Sequence, residues 1–149
     1  MRIVVTSDES YPVHRTVMAE LSRRGHTVMA MGAIANEADE PWAQAAEAAA
    51  QVIAAGGCDE GVFFCWSGTG ISIAANKVAG IRAALCGDGP TATAARIWNH
   101  ANVLCLSNRM LSDDIAKEIL AAWFEPVDGS KGAEGVAALT LVEARHRHR

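Results

Sequence analysis

The sequence predicts an α/β fold: one three-layer domain on a five-stranded parallel sheet, with helices on both faces and a C-terminal helix and tail. Three observations carry that expectation. Short β-branched or apolar runs recur five times, longer segments with helical spacing separate them, and the central run is apolar without alternation. Strands alternating with helices specify parallel pairing, because each crossover needs a helix to return the chain to the same edge.

Residues 3–6 make the first strand. Residues 11–24 form a helix with Val13, Val17, Met18 and Leu21 on one face and Gly25 as its stop. Residues 26–31 make the second strand. An alanine-rich helix covers 41–55, where Pro41 suits the first turn. The third strand, 61–65, is apolar throughout and so expected to be covered on both sides. A helix begins over 70–78, and the fourth strand covers 82–86. A helix over 91–99, a strand over 102–106 and a helix over 112–124, capped by Ser112, complete the core. Residues 128–135, rich in Gly and small side chains, are expected to be loose. A final helix over 135–144 packs on the domain or on a neighbouring subunit. The core thus spans about 1–124 of a single domain over 1–149, with 125–149 as an extension.

Right-handed crossovers make 2-1-3-4-5 the natural strand order at this size. The loops after strands one and three then lie side by side where the winding reverses, and ligands bind at such points. Those loops are Ser7-Asp8-Glu9 and Cys65-Trp66-Ser67-Gly68-Thr69-Gly70.

The net charge of -4 argues against nucleic acid or an anionic membrane as partner, since either calls for a concentrated basic surface. The basic tail, 145–149, reads as a solvated terminus, with metal or phosphate binding as the minor alternative. Cysteines 58, 65, 86 and 105 form no Cys-x-x-Cys pair, which fits free thiols in a reducing compartment. The first apolar run is only three residues and no stretch is long enough to span a bilayer, so the expected location is cytoplasmic. No metal or cofactor is expected.

Cys65 ends a strand just before a Gly-x-Gly segment that opens a helix. Amides exposed there favour negative charge and would lower a nearby thiol's pKa, giving a nucleophile or base. The same cysteine also reads as a buried hydrophobe closing a strand, and spacing alone leaves both readings open. Asp8 likewise reads as a loop carboxylate or as a ligand contact. A phospho-accepting receiver domain is set aside, because its aspartate would stand where this chain has Cys65.

The stretch from Cys65 to Cys86, CWSGTGISIAANKVAGIRAALC, closely resembles the signature of the ribose-5-phosphate isomerase B and galactose-6-phosphate isomerase family. Ala101-Asn102-Val103-Leu104-Cys105-Leu106 with Arg109 is similar to a second family block, and the opening strand with Ser7-Asp8 to a third. The resemblance implies aldose–ketose isomerisation of a phosphorylated sugar through an enediol(ate). It assigns Cys65 as the base moving a proton between C1 and C2, and Ser67 to ring opening or proton traffic. The amides of the loop holding Gly68 and Gly70 would hold the oxyanion. Asp8 and Asn99 match contacts to substrate hydroxyls, and Arg109 matches a phosphate contact, for which a guanidinium fork is suited. The family is dimeric or tetrameric, so a homo-oligomer with the site completed by a second subunit is implied.

The chain departs from that pattern at three places. Glu9 stands where the family has His, and Trp98 stands where it has the ring-opening His. His100 follows two residues later, about 200° round a helix from Trp98. Lys131 is the only basic residue between Lys117 and Arg145, where the family carries paired arginines. Glu9 and Trp98 point to a substrate other than standard ribose 5-phosphate, such as a shorter or open-chain sugar phosphate or a modified or less anionic sugar, and Glu9, Trp98 and His100 are expected among the substrate-binding residues. The competing classes are a non-catalytic sugar-phosphate-binding or partner subunit and a thiol redox enzyme.

Overall fold

The computed structural model describes residues 1–147; Arg149, part of the basic tail, lies outside them. The elements run β1 (Arg2–Ser7), α1 (Val13–Arg23), β2 (Thr27–Met31), α2 (Gly32–Asn36), α3 (Trp42–Ala54), β3 (Glu60–Cys65) and α4 (Thr69–Ala75). They continue with β4 (Ala83–Leu85), α5 (Gly89–Asn99), β5 (Val103–Ser107), α6 (Asp113–Phe124), a 3-10 turn (Gly129–Gly132) and α7 (Ala133–His146). Among the described residues no helix is long and apolar enough to cross a membrane.

All pairings are parallel, and the strand order is β2-β1-β3-β5-β4. The sheet is therefore as expected in kind, but β5 sits inside β4 rather than outside it. Side-chain content explains the exchange. Val103, Leu104, Cys105 and Leu106 are all buried, as a strand covered on both faces must be, whereas Ala83-Ala84-Leu85 is short and partly exposed.

The exchange moves a helix. The chain steps out past β5's place to β4 and then comes back, so right-handed crossovers put α5 on the opposite face from α4. Ala92 and Ala95 of α5 accordingly pack with Val13, Val17 and Leu21 of α1 and Ile119, Leu120 and Trp123 of α6. The other face is closed by α3 and α4 through Ala46, Ala49, Ile53, Ile71 and Ala75. Alternate strand residues divide between the two layers: Ile3, Val5, Val62 and Phe64 face the first, and Val4, Phe63 and Cys65 the second.

The segment expected to be loose is ordered by contacts. Asp128 accepts from the Ser130 amide and hydroxyl, and His100 Nε2 lies 2.7 Å from the Gly129 carbonyl. Gly132 lies so close to the Ile97 and Trp98 carbonyls that any Cβ would collide with them. The small residues are there because two backbones meet, not because the chain is free.

Candidate active site

The carboxyl ends of β1, β3 and β5 finish level, with Ser7 beside Phe64 and Cys65 beside Ser107. Three loops therefore converge there. The loop after β5 is stitched to the loop after β3: Asn108 N donates to the Cys65 carbonyl at 2.9 Å and Arg109 N to the Trp66 carbonyl at 3.0 Å. Ser107 Oγ donates to the same Trp66 carbonyl at 3.0 Å.

Within the glycine-containing loop, Gly68 adopts φ +80°, and its alpha carbon faces the Leu106 backbone closely enough to exclude a side chain. This turn aims the Gly68 N–H at Cys65 Sγ, 3.2 Å away. Ser67 Oγ lies 2.7 Å from Thr69 Oγ1 on the open side of the loop. A Cβ on Gly70 would come within 3.0 Å of the Trp42 ring, which makes Trp42 a packing residue of this loop.

Cys65 itself is only 4 % exposed and packs with the α3–α4 layer. It is not an open thiol at a mouth; the exposed side of the loop is carried by Trp66 and Thr69. The other three cysteines are buried too, and burial pushes their pKa values up, to about 11 for Cys86. Among the described residues only Cys65 receives a backbone N–H on its sulfur.

Asp8 and Glu9 follow β1 as adjacent carboxylates. Burial raises the Asp8 pKa, and the neighbouring charge of Glu9 raises it further. Asp8 Oδ1 is enclosed and has no hydrogen-bond partner among the described residues. Glu9 Oε2 instead accepts from the Tyr11 hydroxyl at 3.4 Å. Arg109 places its guanidinium over the Trp66 ring, 4.7 Å from the centroid.

Asp8, Glu9, Cys65, Ser67, Gly68, Gly70 and Arg109 thus belong to one end of the sheet. Trp98, Asn99 and His100 do not join them. Helix α5 leaves β4 at its carboxyl end and returns to the start of β5, so its last residues lie at the opposite edge. His100 caps that helix at φ +45° and bonds the Gly129 carbonyl. Asn99 opens onto a cleft of about 880 Å³ bounded by Arg82, Leu139 and Glu143.

Sequence reasoning missed His14 and Asn108. His14 sits at helical spacing with Val17, Met18 and Leu21, so a polar residue on that apolar stripe was the available signal. Among the described residues no three His, Cys, Asp or Glu side chains gather as metal ligands.

The model of the Ribose/Galactose Isomerase family matches residues 3–139. The chain belongs to that family. It is 36 % identical over 130 residues to ribose-5-phosphate isomerase B of Escherichia coli (strain K12), covering 87 % of each chain. It is 38 % identical over 100 residues to D-erythrulose-4-phosphate isomerase of Pectobacterium atrosepticum, covering 66 % of each. Ribose-5-phosphate isomerase B of Clostridium thermocellum superposes with a TM-score of 0.90 at 34 % identity, over 98 % of this chain and 99 % of that one. The chain is accordingly an isomerase of the sugar-phosphate family, an intramolecular oxidoreductase.

Proposed function

We propose that the chain interconverts the aldose and ketose forms of a short phosphorylated sugar through an enediolate, with Cys65 as the base. From aldose to ketose the C2–H bond breaks, its proton passes to the sulfur, and the released pair forms C1=C2 while the C1=O1 π pair moves to O1. The proton of O2 then moves to O1 by way of Ser67, the O2 pair forms C2=O2, and the C1=C2 pair takes the proton back from sulfur at C1. The observation that carries this reading is the Gly68 N–H aimed at Cys65 Sγ, at the level end of β1, β3 and β5. Fixed donors beside a developing oxyanion lower the barrier to enolisation. The enclosed, unpartnered Asp8 Oδ1 supports a role in receiving a substrate hydroxyl. Arg109 takes the phosphate.

The departures from the family favour a four-carbon substrate. A tetrose carrying phosphate on O4 has no free hydroxyl that can close a five-membered ring, so it needs no ring-opening histidine, and Trp98 is tolerated. The relative from Pectobacterium atrosepticum is named for such a substrate. Asn99 and Trp98 would act across a subunit boundary, contributed by a second copy whose amino edge faces this crevice. The chain would work in the cytoplasm, without metal or cofactor.

The test incubates the protein in deuterium oxide with aldose and ketose phosphates of four to six carbons, together with the free sugars. Deuterium at C1 or C2, strongest with the four-carbon phosphates and lost in Cys65→Ala, is the expected result. A second reading, a non-catalytic sugar-phosphate-binding subunit, is favoured by the burial of Cys65. Binding without exchange in every case would establish it and overturn the first.

A further inference from the structure

Behind the site lies a polar chain buried in the α1 face. His14 is 3 % exposed and sits against the Phe64 ring, with ring centroids 4.4 Å apart. Its Nδ1 accepts from the Tyr11 backbone N–H at 3.3 Å, so the ring proton must be on Nε2. That Nε2–H points at Asn108 Oδ1, 2.8 Å away. Asn108 Nδ2 donates to Ser7 Oγ at 3.3 Å, and Ser7 Oγ donates to the Glu9 carbonyl at 2.6 Å. Ser7, His14 and Asn108 are all buried.

We propose that His14 is a positioning residue for the isomerase site, holding the three loops that carry Asp8, Cys65 and Arg109 in one arrangement through Asn108 and Ser7. This rests on the reading given above. Each bond in the chain has a defined direction. The Tyr11 N–H fixes the histidine tautomer, which orients the Asn108 amide so that its NH₂ faces Ser7. Ser7 then has its proton directed to Glu9, which pins the turn containing Asp8. The backbone of Asn108 meanwhile bonds Cys65, and that of Arg109 bonds Trp66. One imidazole therefore sets the relative placement of the carboxylate, the thiol and the guanidinium, although it touches none of them. Burial lowers the His14 pKa, against the bond to Asn108, which favours the neutral form the chain requires. A protonated ring would put an N–H against the Tyr11 N–H.

His14→Leu keeps the volume and removes both bonds; His14→Gln restores a donor toward Asn108. The first readout is amide hydrogen exchange, which needs no substrate. His14→Leu is expected to speed exchange at Asn108 and Arg109 at least about tenfold while the amides of β1 and β3 stay protected, and His14→Gln is expected to return most of that protection. The second readout is kinetic. A small misplacement of reacting groups costs about 10- to 100-fold in kcat, so His14→Leu should show that loss with KM changed less than about threefold, partly recovered in His14→Gln. Unchanged exchange in His14→Leu overturns the proposal whatever the activity. Faster exchange with unchanged kcat overturns it as well. If the unaltered protein moves no deuterium on any sugar, the isomerase reading falls, and the exchange data report the loop lock independently.

Discussion

Among single residues, Asp8 stands out because its carboxyl is held partly out of water beside a second carboxylate. That partial enclosure and the charge of Glu9 raise its pKa. A carboxyl whose folded pKa lies above its unfolded value stabilises the fold fully only at pH below the unfolded pKa, about 3.9. That stabilisation is lost as pH rises through the folded pKa, so at neutral pH the ionised Asp8 is a cost. Asp8→Asn should therefore raise Tm at pH 7, by about 1 °C given the partial exposure, since a full 1 kcal/mol would give about 2–4 °C at this size. The gain should vanish toward pH 3, and deuterium incorporation into substrate should drop at least about tenfold if the carboxylate holds a substrate hydroxyl. Thermal melts at pH 7 and pH 3 check the sign: a lower Tm at neutral pH would mean that the carboxylate is satisfied in the folded state.

At the scale of elements, α5 is tied to the start of β3 by an ion pair between half-buried Arg96 and buried Glu60. Arg96 of α5 reaches Glu60 at the start of β3 at 2.6 Å, donates to the Ala101 carbonyl at 2.6 Å, and covers the Trp123 ring at 4.9 Å. Trp123 Nε1 donates to the other Glu60 oxygen at 2.8 Å. Arg96→Met should destabilise by about 3 kcal/mol, because it strands the Glu60 carboxylate away from water. Arg96→Met with Glu60→Gln should recover most of that loss, and denaturant titration reads both; a loss below about 1 kcal/mol in the single variant would mean that water reaches Glu60. The elements joined here were legible in the sequence because periodicity reports burial on one face. Their order was not. Adjacency along the chain favours β4 beside β3, and only the contrast between Ala83-Ala84-Leu85 and Val103-Leu104-Cys105-Leu106 marks which strand lies inside. The five-residue α2 is shorter than the span over which helical periodicity can be seen. In the site, Asp8 and Cys65 stood out as a polar and a reactive group at strand ends, whereas Arg109 came only from the family resemblance. His14 did not stand out, since a histidine within an apolar helix face has no local sign of its partner 94 positions later.

For the whole molecule, a single chain cannot assemble every group the family resemblance assigns to the site. Asn99 and Trp98 lie at the amino edge of the sheet and Cys65 at the carboxyl edge, separated by the length of α5, about 16 Å for an 11-residue helix. No rotation of side chains closes that gap, so under the proposed function those residues would have to come from a neighbouring copy. The surface near them is consistent with such a neighbour: α7 has no buried residue, and Leu139, Leu141 and Val142 are exposed along it, with Trp98 and Ile73 exposed as well. Contiguous exposed apolar patches mark association surfaces, whereas single scattered apolar residues do not. The protein should therefore sediment as a dimer or tetramer of its 15.7 kDa chain. Leu141→Glu should shift it toward the monomer, and isomerisation per chain should fall with the dissociated fraction. Asn99→Ala and Cys65→Ala, each inactive or impaired alone, should regain activity when mixed, because one of the two crevices in a mixed dimer then holds both intact residues. That complementation separates a shared site from mere packing of finished ones: a monomeric Leu141→Glu with full activity, or mixing without recovery, would place the whole reaction within one chain.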